Sequence, residues 1–134
     1  MALVECELAR VVMSESQDHQ VVVLKEKNGE RTLPIAIGLF EVFAIHRTIN
    51  NQPPPRPMTH ELFGNVLDAL GVKIERVNVT ELREVVYIGQ LVLRRDGTLY
   101  EIDSRPSDSI ALAVQKGAPI FVEEAVLAQV ASGE

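Results

Sequence analysis

Two dipeptides, Asn28-Gly29 and Asp96-Gly97, each fall between runs of alternating apolar residues, and they restrict this chain more than any other feature. A type I′ turn needs positive φ at both central positions, which Asn-Gly and Asp-Gly tolerate best, so each dipeptide predicts two antiparallel strands joined tightly. The first predicts a hairpin between Gln20–Glu26 and Arg31–Ile37, preceded by a strand over Leu3–Ser14 and a polar turn at Ser14–His19. The second joins Val85–Arg95 to Thr98–Asp103, after a strand over Val72–Leu82. Pro34 lacks a backbone donor and places its strand at an edge or a bulge. A last short strand is expected over Pro119–Val122.

Between these strands the apolar period changes. Leu39, Phe40, Val42, Phe43, Ile45 and Ile49 predict a largely buried helix over 39–51, which must stop before Pro53-Pro54-Pro55-Arg56-Pro57. Thr59 is placed to cap a second helix over 59–70, with Leu62, Phe63, Val66, Leu67 and Leu70 inward, and His60, Gly64 and Asp68 on the opposite face. A third helix over 107–116 points Ile110, Ala113 and Val114 inward and ends at Gly117, and a fourth over 123–130 opens on Glu123 and Glu124. Strands that run together, followed by paired helices, indicate an α+β fold: a mainly antiparallel sheet packed with about four helices. A chain of 134 residues has too little sequence for a second core, so residues 1–134 form one domain.

Composition narrows the function. Hydrophobic residues are 46% of the chain, yet none of their runs approaches the roughly 18 residues of a membrane span. The acidic start, with Glu5 and Glu7, is unlike a signal peptide, and a cytoplasmic protein is expected. The net charge of −6 and the scattered basic residues argue against tight nonspecific binding of nucleic acid, which depends on neutralising phosphates. They leave room for a small nuclease site, because a metal can supply local positive charge. The single cysteine, Cys6, alternates with Val4 and Leu8 and reads as a buried small hydrophobe.

No nucleotide-binding glycine loop, zinc-protease motif, nucleophile elbow or Cys-x-x-Cys is present. One stretch is polar beyond the needs of folding: Glu101-Ile102-Asp103-Ser104-Arg105-Pro106-Ser107-Asp108-Ser109. Glu101 and Asp103 share a strand face and Asp108 comes from the first turn of the next helix, so three carboxylates can converge on a hard cation such as Mg²⁺. The same residues also suit helix capping, and Arg105 can clamp a phosphate or pair with Asp103 or Asp108. A second constellation, Arg56, Thr59 and His60, follows the prolines, and His60 has a proton-transfer chemistry suited to neutral pH. His46 is expected to be a packing histidine and His19 a solvated one.

Taken in order, Leu33-Pro34-Ile35-Ala36-Ile37-Gly38, Glu41, Ala44-Ile45 and Pro54-Pro55-Arg56-Pro57-Met58-Thr59-His60-Glu61-Leu62 resemble the bifunctional nuclease domain family. So do Asp96-Gly97, Ile102-Asp103-Ser104-Arg105-Pro106-Ser107-Asp108-Ser109-Ile110-Ala111-Leu112-Ala113 and Gly117-Ala118-Pro119-Ile120-Phe121-Val122, a similarity that runs from about Ala2 to Leu127. Ser104 and Ser109 stand where small residues, usually alanine, are expected. The resemblance implies an α+β fold, a homo-oligomer, most simply a dimer, and nuclease activity on DNA and RNA. The shared polar positions are Arg56, Thr59 and His60, then Asp103, Arg105, Ser107 and Asp108.

Two functions follow. In the first, a metal-dependent nuclease, Asp103, Asp108 and Glu101 hold Mg²⁺ or Mn²⁺, Arg105 stabilises phosphate charge, His60 moves a proton, and Arg56, Thr59 and Ser107 contact substrate. In the second, a non-catalytic oligomeric binding or scaffold domain, both motifs serve packing. Six aromatic residues and no tryptophan leave few stacking platforms for bases, in keeping with the second. Where the two motifs lie relative to each other discriminates between them.

Overall fold

The computed structural model describes residues 2–13, 20–84 and 86–131. The expected turn at Ser14–His19, with His19, lies outside the described residues. Within them the chain forms β1 (Leu3–Val12), β2 (Gln20–Glu26), β3 (Thr32–Ile37), α1 (Leu39–Ile49), α2 (Thr59–Ala69), β4 (Lys73–Arg83), β5 (Val86–Arg95), β6 (Thr98–Ser104), α3 (Pro106–Lys116), β7 (Ile120–Glu123) and α4 (Glu124–Ala131). One sheet holds all these strands in the order β3-β2-β1-β7-β4-β5-β6. Two antiparallel meanders, β1–β2–β3 and β4–β5–β6, are joined by β7, which runs antiparallel to β1 and parallel to β4. The sheet is therefore mixed, though mostly antiparallel. β3 is an edge strand, as Pro34 requires.

The two turn signals have different outcomes. Asp96 and Gly97 have φ of 50° and 80°, and Arg95 pairs with Thr98, which is the two-residue I′ hairpin. Asn28 and Gly29 do not enter the positive-φ region. Residues 27–30 instead make a four-residue loop closed by the Glu26 N–H donating to the Arg31 carbonyl at 3.0 Å. Side chains favour that wider loop: Lys25 Nζ donates to the Gly29 carbonyl at 2.6 Å, and Arg31 pairs with Glu26 and, in a bidentate bond at 2.7 and 2.8 Å, with Glu124.

The core lies between the sheet and the helices. Leu33, Ile35 and Ile37 alternate inward from β3, Val77 and Val79 from β4, and Val22 and Leu24 from β2. Each such side chain contributes roughly 1.5–3 kcal/mol by leaving water. Cys6 is buried among them, and burial is the main reason its thiol is pushed up to about 11. α3 is central. Ile110, Ala111, Leu112 and Ala113 are all buried, so it is covered around most of its circumference rather than only on the expected stripe.

The outer helices differ from expectation. α1 buries Val42, Ala44 and Ile45 but leaves Phe40 77% exposed, with Leu39, Phe43 and Ile49 also open. His46 is exposed rather than packed. In α2 the expected faces are largely exchanged: Gly64 and Leu67 are buried, while Leu62, Phe63, Val66 and Leu70 face outward. Gly64 faces α3 closely, since a Cβ there would lie 2.1 Å from Gln115 Nε2 and 2.9 Å from Lys116 Cε. The helix approaches α3 on its small-residue side, and polar contacts support that docking, with Lys116 Nζ on Asp68 at 2.6 Å. Thr59 does not cap α2. Met58 holds the cap position, and its N–H donates to Glu61 Oε1 at 2.9 Å. Glu123 ends β7 instead of opening α4, and it accepts the Ala2 N–H at 2.8 Å.

Candidate functional site

The two polar motifs meet where α1, α2 and α3 begin. His60, in the first turn of α2, has Nε2 at 3.1 Å from Asp108 Oδ1 in the first turn of α3. Arg105, the residue before α3, donates to Asp108 Oδ2 from Nε at 3.0 Å and from Nη2 at 2.9 Å. The same Nη2 reaches Glu41 Oε1 of α1 at 2.6 Å. A chain of four charged or titratable groups thus links three helices. The Asp108 carboxylate, then Glu41, stabilises the Arg105 guanidinium and raises its pKa further, keeping it protonated.

Local rules explain why each side chain is there. Glu41 lies three residues past Gly38, where a helix-start acid turns back over the chain. Gly38 makes the room, since a Cβ on it would sit 2.3 Å from Glu41 Oε2. Pro106 begins α3, the position where a missing N–H costs nothing. Asp108 does not cap α3: Arg105 holds the cap position, Asp108 is the third residue of the helix, and its oxygens accept from Arg105 and contact His60. The capping alternative is therefore not what this acid does. Gly89 of β5 lets the β6–α3 turn pass: a Cβ there would meet the Ser104 carbonyl oxygen at 2.9 Å and Pro106 N at 3.0 Å.

Arg105 also lines a cleft of about 330 Å³, formed by Ile35, Ala36, Ile37 and Gly38 at the end of β3, Val86 and Tyr87 of β5, and Pro106 and Ser107 of α3. Arg105 is 67% exposed in its side chain, and its Nη1 makes no hydrogen bond among the described residues. Ser107 is 6% exposed and lines the cleft, and its hydroxyl makes no hydrogen bond among the described residues. Backbone donors at the first turn of a helix and a guanidinium with open N–H groups suit an anion. With the N–H of His60 on Nε2 toward Asp108, its Nδ1 is left as an acceptor, the arrangement of a base.

The other expected site residues lie apart from this chain of bonds. Glu101 and Asp103 are exposed on β6, and their side chains make no hydrogen bond or ion pair among the described residues. Among those residues no three His, Cys, Asp or Glu side chains group closely enough to hold a metal, so the expected convergence of Glu101, Asp103 and Asp108 does not occur. Asp108 is instead engaged by Arg105 and His60. These donors do not fit a three-carboxylate metal centre. Arg56 and Thr59 are exposed beside His60 in sequence and join none of its bonds. Sequence reasoning gave Glu41 no role, and its signal was a lone acid on an otherwise apolar helix. Gly89 was detectable as a glycine inside a strand, which often marks close backbone approach.

Comparison with known proteins gives the arrangement its relatives. An uncharacterized protein of Mycobacterium tuberculosis is 39% identical over 125 residues, covering 93% of this chain and 74% of that protein. Bifunctional nuclease 1 of Arabidopsis thaliana is 30% identical over 110 residues, 79% of this chain and 34% of the plant protein. Bifunctional nuclease 2 of Oryza sativa is 28% identical over 116 residues, 84% and 36% of the two chains. This chain thus spans about a third of the plant proteins it matches. No helix among the described residues is long and apolar enough to cross a membrane. The bifunctional nuclease domain profile matches residues 22–133, and the chain belongs to that family.

Proposed function

We propose that the protein hydrolyses phosphodiester bonds of DNA or RNA at the joint start of α2 and α3. One observation carries this reading: His60 and Asp108, 48 residues apart and from different motifs, are in hydrogen-bond contact beside an arginine that opens onto a cleft. Packing alone gives no reason for an arginine to remain exposed there while two carboxylates hold it in place. In the reaction Arg105 Nη1 and the Ser107 hydroxyl and N–H hold the phosphate, with Arg56 and Thr59 contacting the strand outside. His60 Nδ1 takes a proton from the water that attacks phosphorus. The ester P–O bond breaks, and the proton passes to the departing oxygen. Asp108 keeps the imidazole in the required tautomer and orientation.

Two carboxylates and one guanidinium leave the cluster with one net negative charge when His60 is neutral, a handicap for binding a phosphate. Mg²⁺ or Mn²⁺ belongs to the proposal as an ion carried with the substrate phosphate, for which Asp103 and Glu101 of β6 offer exposed carboxylates with no side-chain partner among the described residues. The test is cleavage of DNA and RNA by rigorously purified protein beside His60→Ala, with and without EDTA. Loss of about 10²–10⁴-fold on removing His60 is expected for a proton-transfer residue. Cleavage unchanged by His60→Ala refutes the assignment.

The exposed apolar stripe of α1 and α2 favours a further feature of the reading, a homodimer formed through these helices. Phe40, Phe43, Leu62, Phe63, Val66 and Leu70 form faces of the kind that soluble monomers seldom leave open.

A further inference from the structure

Beyond Arg105 and Ser107 the cleft is apolar. Val86 gives it exposed aliphatic surface, the nearly buried Ile35 and Ile37 back it, and Tyr87 adds an aromatic ring. The Tyr87 hydroxyl donates to the Pro34 carbonyl at 3.2 Å, tying the start of β5 across to β3 and fixing how the ring stands. Val86, beside it, is 61% exposed. A ligand matching these walls is anionic at one end and flat and apolar at the other. The volume, about 330 Å³, lies at the small end of sites that enclose small molecules. A base inside a duplex cannot offer its face to such a wall, whereas an unstacked base can.

We propose that this cleft is a nucleoside subsite, in which one unstacked nucleotide of a strand lays its base against Tyr87 and Val86 while its phosphate meets Arg105 and the start of α3. The proposal rests on the phosphate position given under the proposed function, and it adds a specificity that hydrolysis alone does not require. Its sources are the aromatic ring and the neighbouring aliphatic wall, neither of which touches the His60–Asp108–Arg105–Glu41 chain through a hydrogen bond. Because stacking accepts every base, the subsite selects for an unpaired nucleotide rather than for a sequence.

The experiment is a titration of the ¹⁵N-labelled full chain, followed by amide shifts, with AMP, ribose 5-phosphate and a hydrolysis-resistant phosphorothioate hexanucleotide. AMP and the hexanucleotide should give saturable shifts at Gly38, Val86, Tyr87 and Ser107, with ribose 5-phosphate about tenfold weaker. Val86→Ser, at an exposed position that leaves the fold intact, should weaken AMP several-fold and ribose 5-phosphate little. Tyr87→Phe should preserve binding and Tyr87→Ala lose about tenfold. Equal affinity for AMP and ribose 5-phosphate, shifts centred elsewhere, or binding of AMP without the hexanucleotide would overturn the subsite. Saturable binding by a protein that cleaves nothing supports the subsite and removes the hydrolase. Cleavage without cleft shifts does the reverse.

Discussion

Glu41 and Arg105 lie 64 residues apart in sequence and 2.6 Å apart in space, the acid buried and the base largely open to solvent. A buried carboxylate on α1 thus holds the guanidinium head of an exposed arginine at the start of α3. Glu41→Gln keeps the volume and weakens the grip, and should lower cleavage by about tenfold to a hundredfold through misplacement of Arg105. Stability should fall by only about 1 kcal/mol. A kinetic assay beside thermal denaturation checks both, and unchanged kcat with lowered stability would reduce Glu41 to a packing role.

The divalent ion is expected to act with substrate rather than before it. Mg²⁺ or Mn²⁺ alone should leave Tm unchanged, because the donors do not converge. EDTA should abolish cleavage, and Asp103→Asn and Asp108→Asn should each do the same while the protein stays folded. A marked rise of Tm with Mg²⁺ alone, lost in Asp103→Asn, would restore a preformed metal centre.

Gly89→Ala should destabilise the fold, since its methyl group would strike backbone atoms of Ser104 and Pro106 that no rotamer change can move. The cost should be about 1–3 kcal/mol. Chemical denaturation measures it, and a wild-type midpoint would mean that the β6–α3 turn yields.

Seven strands, four helices and the edge position of β3 were legible because each depends on local period or on a single proline. The face of α2 was not, because Leu62, Phe63, Val66 and Leu70 outweigh Gly64 in any count of hydrophobicity, while close approach to α3 is decided by size. The site was half legible. His60 and Asp108 stood out as polar residues in two motifs, but their contact needs the tertiary arrangement. Grouping Glu101 and Asp103 with Asp108 failed because the strand-to-helix turn sends the last acid toward Arg105.

Self-association should follow the outward helices. A stable interface buries about 800 Å² on each partner, and the exposed apolar side chains of α1 and α2 are where it is expected to form. Light scattering should give the mass of two chains, and Phe40→Glu combined with Leu62→Glu should give one. A single-chain mass for the unaltered protein at all practical concentrations would refute the dimer.

Acid should weaken the contact between α1 and α2. Burial tends to raise the pKa of Glu61, but Arg47 at 2.8 Å and the Met58 N–H prevail and lower it below its ordinary 4.5. A depressed carboxylate adds stability that is fully present above the unfolded-state value and is lost as pH falls through the folded one. The Tm gap between wild type and Glu61→Gln should therefore be widest above the ordinary 4.5 and close as the pH falls through the lowered folded-state value. A gap independent of pH would assign the effect to shape alone.

β7 pairs with both β1 and β4, and its residues 120–123 follow those of every other described strand in the chain. Without it each three-stranded meander keeps an open edge awaiting the same four residues. The sheet beside which the helices carrying His60 and Asp108 pack is therefore complete only once residue 123 has been added.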